Sequence, residues 1–229
     1  MTDNQRQIFD AGVRDISYLD EGSGPAIVLL PEAGLDYAYF GALVSILVEE
    51  DFRVVRIGSR VGPGEVTLSE LAQDVVDALD HLGIDEAWIG GHGFGGAIAR
   101  TVALEHHDHV NGVLLLGVAE GEPADEALDA EVRAVFGDGF SAQSELLRAQ
   151  ADALTATATD RWRPIADATP VLVIQAAEDT VTPAAGGAAL QESAPGLVSV
   201  KTVDGAGHFF PLTHPGETSW FIEDYLDWD

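Results

Sequence analysis

The sequence contains no cysteine, one methionine and a single lysine, Lys201. Without cysteine there is no disulfide framework, and no thiolate to serve as nucleophile or metal ligand. Long apolar runs are also missing: none approaches the roughly 20 residues that cross a bilayer. Basic residues are scarce, with 11 Lys and Arg against 39 Asp and Glu, a formal charge of -28. That charge repels a phosphate backbone and an anionic membrane surface alike, so neither nucleic acid nor membrane is an expected partner. The opening segment MTDNQRQIFDAG lacks the charged-then-apolar pattern of a secretory signal, and the expected location is the cytoplasm. No spacing of His, Asp and Glu resembles a zinc motif such as H-E-x-x-H, so neither a metal nor another cofactor is expected.

What is present is an ordinary globular composition, 46% hydrophobic and 22% charged over 229 residues, which fits one domain spanning 1-229. RDISYLDEGSG alternates like an antiparallel strand, and PAIVLL is the continuous apolar run of a buried one. FRVVRIG, DEAWIGG, VNGVLLLGV, PVLVIQAA and LVSVKTVDG repeat the strand pattern, separated by segments of helical period. In LSELAQDVVDALDHLG, for example, Leu68, Leu71, Val75, Val76, Leu79 and Leu82 form one stripe and Gly83 supplies the stop. The alternation predicts an α/β class with a mostly parallel sheet and helices on both faces. Residues 122-166 break it, with Ala-rich helical patterns and no strand, and read as a small helical cap inserted between two strands.

The stretch IGGHGFGG after the DEAWIGG strand admits two readings. Gly91, Gly93 and Gly96 satisfy G-x-G-x-x-G, and Glu120 follows the next strand where a ribose-binding acid belongs. Against a dinucleotide cradle, that fingerprint opens the first strand-to-helix turn of its fold, and several strands precede this one. Alternatively, Gly91 through Gly95 match G-x-S-x-G, with Gly93 where serine would stand.

EGSGPAIVLL, GGHGFGGAIA, TPVLVIQAAEDTVTP and DGAGHFF followed by HP, taken in this order, resemble the α/β-hydrolase superfamily, esterase- and lipase-like, over nearly the whole chain. The resemblance implies that fold, and maps the nucleophile, acid and base onto Gly93, Asp179 and His208. It implies a general base His208 oriented by Asp179, and an oxyanion hole from the backbone N-H groups of Phe94 and of a residue near Ala33. Glu120 is a rival acid, and Glu178 reads as solvated. Two departures stand out: Pro31-Glu32 replaces the usual His-Gly, and Gly58 replaces an Asp, although Arg60 is kept.

Gly93 removes the attacking atom, so an acyl-enzyme at that position is excluded. Glu32 is a candidate acid or base in the loop that normally lines the site. His92 reads as structural; His81, His106, His107, His109 and His214 read as surface or helix-end groups; Ser59 and Ser141 have no base in register. Two functions follow. One is an enzyme in which His208 acts on substrate, or on a water filling the vacated volume, for non-covalent hydrolysis or proton transfer. The other is an inactive homologue that binds a small molecule or a partner. Either way the expected partner is a small molecule; the sequence does not speak to oligomeric state.

Overall fold

In the computed structural model, residues 6-12, 14-60, 66-118, 125-138 and 140-227 are described. Eight strands form one sheet: β1 (Gln7–Asp10), β2 (Asp15–Gly22), β3 (Ala26–Leu30), β4 (Arg53–Ile57), β5 (Ala87–His92), β6 (Val110–Leu116), β7 (Val171–Ala176) and β8 (Val198–Val203). Their spatial order is β1-β2-β4-β3-β5-β6-β7-β8. The β1-β2 and β2-β4 pairs are antiparallel and every other pair is parallel. Every residue of β3, β5 and β7 is buried, as expected of parallel strands covered on both faces.

The helices are α1 (Gly41–Glu49), α2 (Leu68–Leu82), α3 (Phe94–Glu105), α4 (Asp125–Phe136), α5 (Ser144–Ala156), α6 (Ala185–Ser193), α7 (Phe210–Thr213) and α8 (Pro215–Leu226). Helix α2 shows how local chemistry sets the boundaries. Thr67 and Glu70 form a reciprocal capping box at its start, and Gly83 ends it in the left-handed conformation. The predicted stripe is buried as far as Leu79. Strand β1, too short and polar to signal itself in sequence, adds a hairpin partner to β2.

The order of strands decides where a site can form. Strand β3 lies between β4 and β5, so the chain departs in opposite directions on its two sides, and the loops after β3 and β5 open into one crevice. Leu30 is in register with Gly91. Two residues beyond each lie Glu32 and Gly93, which therefore face one another. Between β6 and β7, α4 and α5 cover this end of the sheet. The peptide groups of Gly34 are held from that side at both ends: its N-H donates to Gln150 Oε1 at 2.7 Å and its C=O accepts from the Gln143 N-H at 2.9 Å. Gly34 has φ +70, and a β-carbon there would lie 2.5 Å from Leu147 Cγ, so only glycine permits this seating.

Candidate functional site

Gly93 caps α3 with φ 49 and ψ -107, a sharp turn between β5 and the helix. The space in front of it is not vacant. A β-carbon at Gly93 would lie 1.6 Å from Glu32 Oε2. The carboxylate of Glu32 occupies the volume that a side chain at the turn would need, which corrects the expectation of a water there. It is also not solvated, since Glu32 is 1% exposed.

Each carboxylate oxygen has its own partners. Glu32 Oε1 accepts the backbone N-H of Phe94 at 3.0 Å and that of Ala33 at 2.5 Å. These are the two donors assigned to the oxyanion hole from sequence, and the helix N-terminus behind Phe94 adds to their attraction for negative charge. Glu32 Oε2 lies 2.8 Å from His208 Nε2. On the other edge of the ring, His208 Nδ1 lies 3.0 Å from Asp179 Oδ2. Asp179 is in turn fixed by the Thr182 hydroxyl at 2.6 Å and by the N-H groups of Val181 and Thr182, each at 2.8 Å. The structure thus brings together Gly93, Glu32, Ala33, Phe94, Asp179 and His208.

With an ionised carboxylate at each ring nitrogen, both nitrogens donate and His208 is an imidazolium. Burial lowers the basicity of His208, but the hydrogen bonds to Asp179 and Glu32 and their charges outweigh it, and the pKa stands at about 9. Burial raises Asp179, and the His208 bond and charge with the Thr182 bonds bring it down to about 2. Burial likewise raises Glu32, and the bond and charge of His208 leave it net lowered. The resting centre is a carboxylate, imidazolium, carboxylate row, and a general base is not available until one carboxylate leaves it.

The sign of the pH dependence follows. His208 is raised above its ordinary 6.5, so its pairing stabilises the fold fully below that value and is lost as pH rises through about 9. Asp179 and Glu32 are lowered from 3.8 and 4.5, so their contribution is present above those values and lost as pH falls below them. Urea midpoints are expected to be highest between about pH 5 and 6.5 and to decline toward pH 9 to 10. In Glu32→Gln, where His208 keeps one carboxylate, that alkaline decline is expected to shrink; an identical decline would show that the pair does not form.

Two buried residues hold the row in place. Tyr39 Oη accepts the Glu32 backbone N-H at 2.9 Å and faces His92 Nδ1 at 2.9 Å, so it donates its proton to that nitrogen. His92 Nε2 then donates to the His208 carbonyl at 3.0 Å. Burial, then the neighbouring imidazolium of His208, lowers His92 to about 4, so its ring is neutral. It stacks on His208 with ring centroids 4.4 Å apart. Tyr39 and Thr182 carry no sequence signal for this work, because their partners are set by the tertiary fold; Tyr39 simply reads as part of an amphipathic segment.

Glu32, His92 and His208 present ligand atoms within 4.8 Å of one another. Each of those atoms already belongs to a hydrogen bond, and His92 Nε2 is protonated toward a carbonyl, so a metal would have to displace this network. The first N-H of α3, that of Phe94, is likewise taken by Glu32. Glu120 lies outside the described residues. Glu178 is exposed, and His81 is exposed and stacks on Phe9. Neither these nor His106, His107, His109 and His214 bond to the row; the Ser59 hydroxyl is buried without a partner among the described residues, and Ser141 is exposed beside α5.

A cavity of about 500 Å³ lies between α4, α5 and the loop after β3, and reaches Ala33 and Phe94. It therefore ends against the residues whose N-H groups hold Glu32. The volume suits a small ligand.

A family model described as alpha/beta hydrolase fold matches residues 51–143. A solved E-2-(acetamidomethylene)succinate hydrolase superposes with a TM-score of 0.79 over 97% of this chain and 99% of its own, at 20% identity. The chain has the α/β-hydrolase fold. Within that fold the chain resembles haloalkane dehalogenase 2 of Mycobacterium bovis, 31% identical over 114 residues, and bifunctional epoxide hydrolase 2 of Rattus norvegicus, 30% identical over 132 residues. The matches cover 47% and 53% of this chain, and 40% and 23% of those relatives. In this chain the fold sets Glu32 against the Ala33 and Phe94 N-H groups and places Gly93 at the turn between β5 and α3. No helix among the described residues is long and apolar enough to cross a membrane.

Proposed function

We propose that this protein is a small-molecule hydrolase in which Glu32 replaces the missing hydroxyl and, with the His208 and Asp179 dyad, opens an epoxide or a related alkyl electrophile. One observation carries the reading: Glu32 fills the nucleophile's space with Oε1 on both hole donors and Oε2 on His208. A buried ion pair is a weak source of stability compared with apolar packing, which favours a working role for this one. Two curated relatives bear names of enzymes acting at alkyl carbons, an epoxide hydrolase and a haloalkane dehalogenase.

Glu32 Oε2 attacks a ring carbon, the carbon-oxygen ring bond breaks, and the resulting alkoxide takes the Nε2 proton of His208. Glu32 is now a neutral ester and His208 a neutral imidazole with Asp179 as its remaining carboxylate, so its basicity falls toward the range of a general base. Water attacks Cδ of Glu32 and gives a proton to His208, while the negative charge gathers on Oε1 between the Ala33 and Phe94 N-H groups. Collapse expels the alcohol oxygen, which His208 protonates. The proton of the regenerated Glu32 acid then passes to His208, restoring the ion pair. The sum is epoxide plus water to diol.

Turnover of styrene oxide in H2-18O tests this. One oxygen of Glu32 is expected to exchange per cycle, so the peptide bearing Glu32 gains mass after many turnovers, and a first turnover delivers a 16O oxygen to the diol. Turnover that leaves this peptide unlabelled would overturn the covalent route.

The second reading, a binding protein without catalysis, draws on the closure of the site, since Glu32 and His208 are 1% and 0% exposed. Complete absence of turnover across epoxides, esters and lactones, together with ligand binding in the cavity, would favour it.

A further inference from the structure

Nearly all the scarce cations of this chain are spoken for. Arg6, Arg14, Arg53, Arg56, Arg60, Arg133, Arg161 and Lys201 pair with carboxylates, and Arg163 lies over the Trp162 ring. Arg148, exposed at the rim of the cavity, has neither a carboxylate nor a ring partner among the described residues. In a chain with 39 acidic residues, a cation left without one among the described residues is a distinctive feature of this rim. The rim's acid, Asp129, is engaged by Arg133 at 3.3 Å.

Helix α5 arranges the cavity wall. Leu147, Ala151 and Leu154 recur at helical spacing and give it an apolar side. Arg148 and Gln150 are two residues apart, about 200° around the helix, and so stand on opposite flanks of that side. Arg148 is the outer flank. Gln150 is the inner one, 2% exposed, with Oε1 fixed on the Gly34 N-H. That bond sets the orientation of the amide, and its Nε2 is left as a buried donor without a partner among the described residues. An unsatisfied buried donor is costly, and one beside a ligand cavity marks a place where an acceptor is missing.

We infer that the cavity takes a small carboxylic acid with an apolar body, its carboxylate on Arg148 and its far end toward Gln150, Ala33 and Phe94. This names the substrate class of the function proposed above and rests on that reading only for the chemistry at the far end. The substrate is then an alkanoic or arylalkanoic acid whose epoxide carbons are remote from the carboxylate, and its product a dihydroxy acid of the same length. Positive charge on Arg148 also opposes the general repulsion of this protein for anions.

Binding is measured without turnover, by calorimetry at fixed ionic strength, with 6-phenylhexanoate and 6-phenylhexanamide. The acid is expected to bind about tenfold tighter than the amide, the scale of a charge-assisted hydrogen bond. Arg148→Gln is expected to remove that preference by weakening the acid alone, and Glu32→Gln to leave it intact. Equal binding of acid and amide, an unchanged preference in Arg148→Gln, or no binding of either compound overturns the inference. An acid preference that persists while neither styrene oxide nor an arylalkanoic acid bearing a remote epoxide is turned over leaves this site standing and fails the proposed chemistry. Turnover of styrene oxide with no acid preference does the reverse.

Discussion

Gly93→Ser alone is expected to create no esterase, and to destabilise the protein by about 3 kcal/mol or more, the scale of breaking a buried ion pair. The new β-carbon would lie 1.6 Å from Glu32 Oε2, so the carboxylate must leave the Ala33 and Phe94 donors and His208. A non-glycine residue at φ 49 adds further strain. Glu32→Gly in the same chain removes the obstruction and frees both the hole and His208, whose pKa then falls because Asp179 is its only carboxylate. The double variant is expected to hydrolyse p-nitrophenyl acetate and to be labelled by a fluorophosphonate on the hydroxyl introduced at the turn, with the single variant silent in both assays. Equal labelling of single and double variants would show that Glu32 does not compete for that space.

Glu32→Gln is expected to lower kcat on any epoxide the protein turns over by about 10⁴-fold, comparable to losing a member of a catalytic triad. The change is nearly isosteric. The amide oxygen can keep both backbone N-H groups, and the amide N-H₂ can donate to a neutral His208 whose Nδ1 proton stays on Asp179. The fold should therefore survive with a modest loss of stability, and the defect should be in kcat. Steady-state kinetics beside a denaturation curve checks both, and an unchanged kcat in a folded variant would remove Glu32 from the reaction.

The sheet was legible in sequence because its central strands are buried on both faces and read as continuous apolar runs, as in PAIVLL and PVLVIQAA. The helix patterns and the Gly83 stop were legible for the same kind of reason. Among the site residues, Asp179 and His208 could be placed by their flanking motifs, and Phe94 and Ala33 by position relative to the turn. The state of the site could not. Whether Glu32 faces water or a backbone N-H depends on the parallel pairing of Leu30 with Gly91, which no local pattern specifies. The protonation of His208 depends on two carboxylates 29 and 176 positions away in the chain. Tyr39 and Thr182 escaped for the same reason: a hydroxyl acquires its role from what the fold sets against it.

The seating of Gly34 makes the covering helix and the hole parts of one lever. Gln143 and Gln150 grip its C=O and N-H, and the next residue back in the chain, Ala33, supplies a donor to Glu32. Any displacement of α5 that kept those bonds would carry Gly34 with it, so the position of this helix and that of the Ala33 N-H accepted by Glu32 are mechanically tied.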